Sequence, residues 1–230
     1  MAQNGSLGSS GNAYGVLNGG RAYDQAESSS RLLGKVLGMV SVAFALTAAG
    51  SYVSLSIPPG LALLIMLLNL GMLFAIRATR DNAPRQMTLF YAFAFLEGVG
   101  LGPTIHHYLG HGGSHLVGTA AMTTGIGMAM LGTVAYAVSV DYRKVQAIGQ
   151  FFLIGLFVLL LATMFFHFVQ PTTIDYLVLA VFSVLTIGDF ARVRAGGGGA
   201  TAAELSLSIF LDGLNIFLAV LNLFGNRGND

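Results

Sequence analysis

Seven apolar segments, each near the roughly 17–25 residues that cross a hydrocarbon core, constrain this chain more than any other feature. They fall at about 33–54, 61–77, 87–107, 116–139, 147–169, 175–191 and 204–224. The connections between them are brief: Pro58-Pro59-Gly60, the Arg80-Asp81-Asn82 turn, a His- and Gly-rich loop over 107–115, Asp141 to Lys144, Gln170-Pro171 and the glycines at 196–199. Loops this short make successive segments antiparallel neighbours. A segment crossing hydrocarbon as a helix satisfies its backbone hydrogen bonds internally. The expectation is an all-α membrane protein with seven transmembrane helices over 31–225 and a short C-terminal tail at 226–230.

The composition agrees. Hydrophobic residues make up 54% of the 230 and charged residues only 9%, against about a quarter charged in soluble domains. No cysteine is present, which removes disulfides, thiolate metal sites and Cys nucleophiles together. A net charge of +1 gives no field that would attract nucleic acid. Residues 1–30 are polar and rich in Gly, Ser and Asn. They lack the apolar core of a signal peptide and read as a disordered tail.

The few positive charges report sidedness. Arg21, Arg31 and Lys35 precede or open the first segment, and Arg77, Arg80 and Arg85 lie between the second and third. Arg143 and Lys144 lie between the fourth and fifth, and Arg192 and Arg194 between the sixth and seventh. With seven crossings these ten fall on one side and only Arg227 on the other, so the N-terminus is expected in the cytoplasm and the C-terminus outside. All five histidines (His106, His107, His111, His115 and His167) then lie at or beyond the outer ends of helices three and five. They read either as an external metal or pH site or as polar loop residues at the interface.

Three carboxylates stand inside spans. Asp212 is eight residues into the last segment, ~12 Å from its cytoplasmic end, with Asn215 one turn later. At such depth a carboxylate costs roughly 2.5–3.5 kcal/mol on insertion scales, so it needs a partner, a wet cavity or a function. Asp189, near the cytoplasmic end of the sixth segment, enters from the same side on the neighbouring helix. Two such carboxyls at close range share a proton: holding it joins the helices, and losing it makes them repel. The same oxygens suit a hard cation such as Ca²⁺. Each aspartate could instead meet a nearby arginine or water separately. Glu97 lies mid-helix in Glu97-Gly98-Val99-Gly100-Leu101-Gly102-Pro103, where Pro103 frees the Val99 carbonyl. That stretch reads either as an oxygen-lined point on an ion path or as a site of close helix packing.

Phe93 to Tyr108 (FAFLEGVGLGPTIHHY), the GDFARV segment around Asp189, and LSLSIFLDGLNIFLAVLNLFG at 205–225 together resemble the Bax-inhibitor family, the transmembrane Bax inhibitor motif proteins, including bacterial members. The likeness covers about residues 30–225. It implies seven helices with the last central and wrapped by the other six, and a pH-sensitive Ca²⁺ leak. It also implies a di-aspartyl pH sensor, matched by Asp189 and Asp212, and an arginine latch in the closed state, matched by Arg77. Gly188 stands where the family often has Tyr.

The expected function is therefore a pH-sensitive calcium leak channel in a bacterial plasma membrane. Asp189, Asp212 and Arg77 form its sensor and gate, with Asp189 and Asp212 as the metal-facing oxygens and Glu97 and Asn215 on a possible ion path. The partners are the lipid bilayer, Ca²⁺ and H⁺, and no resident cofactor is expected. A proton-coupled exchanger using the same carboxylates is the alternative, followed by a non-conducting scaffold. An intramembrane aspartyl protease would carry Gly-x-Gly-Asp, but this chain has Thr186-Ile187-Gly188-Asp189. No Gly-x-Ser-x-Gly or His-Glu-x-x-His site appears either, so no enzyme is expected.

Overall fold

The computed structural model describes residues 10–54, 57–166 and 169–227, excluding the side chains of 10–27, 59, 62–63, 66, 111–112, 164 and 227. Among the described residues the chain is all helical. Its helices are α1 (Ser10–Val53), α2 (Pro59–Ala78), a long run Ala83–Ala137, α5 (Tyr142–Phe165), α6 (Pro171–Arg194) and α7 (Ala202–Arg227). The long run breaks at Gly113, where φ is 72° and ψ 177°, into two arms, α3 (Ala83–Gly110) and α4 (Gly113–Ala137). Six helices are long and apolar enough to cross a membrane, and α2 adds a shorter apolar stretch, Leu67–Ala78.

Three boundaries differ from expectation. The stretch 10–30, read as a disordered tail, continues α1 as one helix from Ser10. Arg21-Ala22 and Gln25-Ala26-Glu27 are good helix formers, and extending an existing helix avoids a second nucleation. The expected 107–115 loop is helical up to the break at Gly113. At α6 the helix starts at Pro171 rather than 175, since proline suits a first helical turn, and this brings Asp175 into the span. Residues 1–9 and 228–230, His167 and the side chain of His111 lie outside the described residues.

α7 is the most buried span: 61% of its apolar window is covered, against 44% or less in the others. Its residues enter three separate core clusters. Phe210 packs with Phe44, Phe90 and Phe93 at ring distances of 5.1, 5.9 and 6.2 Å. Leu205 and Ile209 join Val36, Met128 and Phe190, and Ile216 and Leu221 join Ala120. α5 behaves oppositely. It packs chiefly on α6, with only 11% of its span buried, so the last helix is not evenly wrapped by all six others. Phe151, Ile154, Phe157 and Phe165 on α5 are exposed, as lipid-facing side chains are.

Lipid tails are as apolar as leucine, so close approach and interhelical hydrogen bonds hold such a bundle together. Gly98 shows the first: a Cβ there would run into the Thr47 carbonyl of α1. Beside it the Thr47 hydroxyl donates to the Ala94 carbonyl at 2.9 Å. The glycine-rich stretch of α3 is thus a packing seam against α1. The start of α7 is held by a capping box: Glu204 N donates to Thr201 Oγ1 at 3.1 Å and Thr201 N to Glu204 Oε2 at 2.9 Å. Thr201 Oγ1 also donates to Gln86 Oε1, and Gln86 Nε2 donates to the Ile76 carbonyl, tying α7 to α3 and α2.

The arginine-bearing ends gather at one end of the bundle. Arg194 donates to the carbonyls of Ala135, Val138 and Val140, and its own carbonyl accepts from Ser29. Arg80 Nη2 donates to the Gly199 carbonyl at 2.9 Å. These bonds close the α2–α3, α4–α5 and α6–α7 turns and α1 onto one another.

Candidate functional site

Asp189 and Asp212 sit on packed neighbours, α6 and α7, at 6% and 5% exposure. Their carboxyl groups adjoin, with Ser208 beside Asp189 and Thr186 beside Asp212. Asp189 Oδ1 accepts from Gln146 Nε2 of α5 at 2.7 Å. Asp212 Oδ2 is buried with no hydrogen-bond partner among the described residues. The Thr186 hydroxyl donates to the Phe182 carbonyl at 2.7 Å, the back-bond common for a Thr in a membrane helix. Arg192, one turn beyond Asp189, acts on it through space while its Nε donates to the Gly197 carbonyl at 3.0 Å.

Arg77 lies in the last turn of α2 and lines a cavity of about 450 Å³ with Arg80, Arg192, Glu204 and Ser208. Ser208 therefore borders both this cavity and Asp189. Glu97 and Asn215 belong elsewhere. Glu97 is half-buried on α3 and its Oε2 accepts from Asn69 Nδ2 of α2 at 2.7 Å. Asn215 Nδ2 turns back to its own helix, donating to the Leu211 carbonyl at 2.8 Å. His106, His107 and His115 are exposed, and His107 packs edge-on to Tyr108. No group of three or more His, Asp or Glu side chains forms a metal cluster among the described residues.

Several polar side chains were not singled out from sequence. Gln146 and Asn69, the donors to Asp189 and Glu97, sit within apolar helices and carry no motif. A further buried carboxylate, Asp175 on α6, accepts from Asn222 Nδ2 at 3.0 Å, while Tyr108 Oη donates to Asn222 Oδ1 at 2.7 Å. These three line a cavity of about 350 Å³ with Pro171, Ile174 and Asn226, at the end of α6 away from the arginines. One signal was present. Asp212, Asn215 and Asn222 fall at i, i+3 and i+10, a stripe along one side of α7.

Comparison with known proteins finds relatives over nearly the whole chain. The family model described as inhibitor of apoptosis-promoting Bax1 matches residues 29–229. An uncharacterised membrane protein of Vibrio cholerae is 26% identical over 200 residues, covering 85% of this chain and 87% of that protein. An uncharacterised protein of Pseudomonas aeruginosa is 26% identical over 208 residues, covering 87% and 91%. One of Campylobacter jejuni is 25% identical over 166 residues, or 70% of each chain. With its long apolar helices, the protein is a multi-pass membrane protein with bacterial relatives, a helical architecture suited to the inner membrane. The chain belongs to the Bax-inhibitor family, the inhibitors of apoptosis-promoting Bax1.

Proposed function

We propose that the protein is a pH-sensitive calcium leak channel whose gate is the Asp189–Asp212 pair. The supporting observation is the buried Asp212 Oδ2, which no donor reaches although a second carboxyl adjoins it. Ionised carboxyls only accept hydrogen bonds, whereas a protonated one donates. A single proton shared between them supplies the missing donor and joins α6 to α7. Losing it leaves two like charges in a poorly solvated site, which drives the helices apart. Ca²⁺ is the cargo. The same four carboxylate oxygens offer a passing divalent cation part of the six to eight it takes.

Arg77 completes the gate by competing for the ionised pair from the adjoining cavity. In this reading all seven helices cross the membrane, with the N-terminus in the cytoplasm and the C-terminus outside. Single cysteines placed in the loops of this naturally cysteine-free chain test that arrangement by labelling from either side. No catalytic role is assigned to the pair.

The decisive experiment is Ca²⁺ flux against pH in proteoliposomes, comparing wild type with Asp189→Asn and Asp212→Asn. Each substitution is expected to flatten the pH profile, and unchanged flux and profile in both would sink the proposal. Stoichiometric proton counterflow in the wild type would turn the same site into an exchanger.

A further inference from the structure

The cavity beside the gate has a chemistry that a cation path does not explain. Three guanidinium groups line it, Arg77 from α2, Arg80 from the α2–α3 turn and Arg192 from α6, against one carboxylate, Glu204 of α7. That carboxylate is engaged in the helix cap, where its Oε2 accepts from Thr201 N. Arg80 also donates to a lining carbonyl, that of Gly199, and Arg192 to the Gly197 carbonyl in the same turn. A guanidinium has five N–H donors, so Arg80 and Arg192 each keep several after these bonds. The cavity therefore sets three cationic groups with spare donors against a single carboxylate. A divalent cation would be repelled there, whereas an oxyanion would be bound.

Its walls specify the source of that anion. Leu70, Leu73, Phe74, Leu207 and Leu211 line the side away from the arginines. Leu70 and Phe74 are 57% and 69% exposed on the outer surface of the spanning helix α2, so the cavity opens sideways to the region occupied by acyl chains. Arginine clusters above an apolar wall between membrane helices are suited to a phosphate headgroup with its chain laid below. We propose that this cavity is a binding site for a phosphate group, carried by an anionic phospholipid, held by Arg77, Arg80 and Arg192. Because Arg77 is shared, bound phosphate occupies the residue assigned above to the latch. The binding itself does not depend on whether the protein conducts calcium.

The test is retention of lipid by the purified full-length protein, measured by native mass spectrometry in mixtures of phosphatidylglycerol and phosphatidylcholine. Wild type is expected to keep phosphatidylglycerol in preference. Arg77→Gln and Arg80→Gln should each weaken that preference by about fivefold, and the pair by roughly twentyfold. Arg85→Gln, an exposed charge outside the cavity, should leave it unchanged. Inorganic phosphate at millimolar concentration separates the sources: competitive displacement of the lipid supports the proposal, whereas stabilisation by phosphate with no lipid retained overturns the assignment to a phospholipid. No preference between the two lipids together with no response to phosphate overturns the proposal, and so does an equal loss in Arg85→Gln. Should the double variant fail to fold, the wild-type lipid and phosphate arms decide alone.

Discussion

Helix α6 carries two buried aspartates fourteen positions apart, and they are held in opposite ways. Asp175, at 7% exposure, accepts from the Asn222 amide, which in turn is fixed by the Tyr108 hydroxyl. Every partner in that chain is neutral: an amide donor and, behind it, a phenol hydroxyl. Asp189, at 6% exposure, has one amide donor in Gln146 but adjoins a second carboxyl, Asp212, one oxygen of which no donor reaches. Similar solvent exposure thus says little about role: Asp175 borders an open cavity near the start of α6, whereas Asp189 is enclosed beside Gln146 and Asp212. What separates a structural carboxylate from a switch is whether its neighbours satisfy one protonation state or need a proton to move.

The strongest way to break this contrast is to neutralise the two ends separately. A one-proton switch changes its populations by up to about tenfold per pH unit. Asp212→Asn or Asp189→Asn should remove that dependence from Ca²⁺ flux in proteoliposomes, while Asp175→Asn should keep the wild-type profile. A profile lost equally at Asp175 would erase the distinction between the two regions.

Removing the donors is the next largest effect. Asn222→Leu leaves the Asp175 carboxylate buried without its amide. It should lower stability in detergent by about 1–3 kcal/mol with the pH profile of flux unmoved. Gln146→Leu should cost a similar amount, about 1–3 kcal/mol, but should also displace the pH midpoint of flux, because Gln146 donates to one oxygen of the pair. Thermal unfolding and flux measured on the same two preparations check both claims. If Gln146→Leu moves stability alone, Asp189 is a structural carboxylate like Asp175. The smallest expected change is at Tyr108→Phe, which deletes one hydroxyl from the Tyr108–Asn222–Asp175 chain. It should cost about 0.5–1.5 kcal/mol in the same unfolding measurement and nothing in flux.

The glycines of α3 carry a related lesson. Beside Glu97 they could be read as an opening in the helix or as a seam. Gly98 against the Thr47 carbonyl makes them a seam, and Glu97 finds its partner across α2, in Asn69. Hydropathy marked Glu97 as costly in either case. Only the rotation of α3 about its axis determined which helix would meet it.

Much of the architecture was legible in the amino-acid order because it depends on local properties. Apolar length identifies the spans, short polar breaks give their alternation, and the spacing of Arg77, Arg80, Arg192 and Arg194 in those breaks foretells their gathering at one end of the bundle. Asp212 declared itself by standing in a hydrophobic helix. Helix ends were less legible, as at Ser10 and Gly113, because propagation continues through weakly polar residues once a span has formed. Partner identity was not legible at all for Gln146, Asn69 and the Tyr108–Asn222–Asp175 chain. In a bilayer, lateral neighbours are chosen by close packing and a few interhelical hydrogen bonds rather than by hydrophobic burial, and those depend on residues far apart in the chain. Amino-acid order alone sets carboxylates such as Asp212 inside apolar helices. Packing between distant residues brought Asp175 to one neutral amide donor and Asp189 to Asp212.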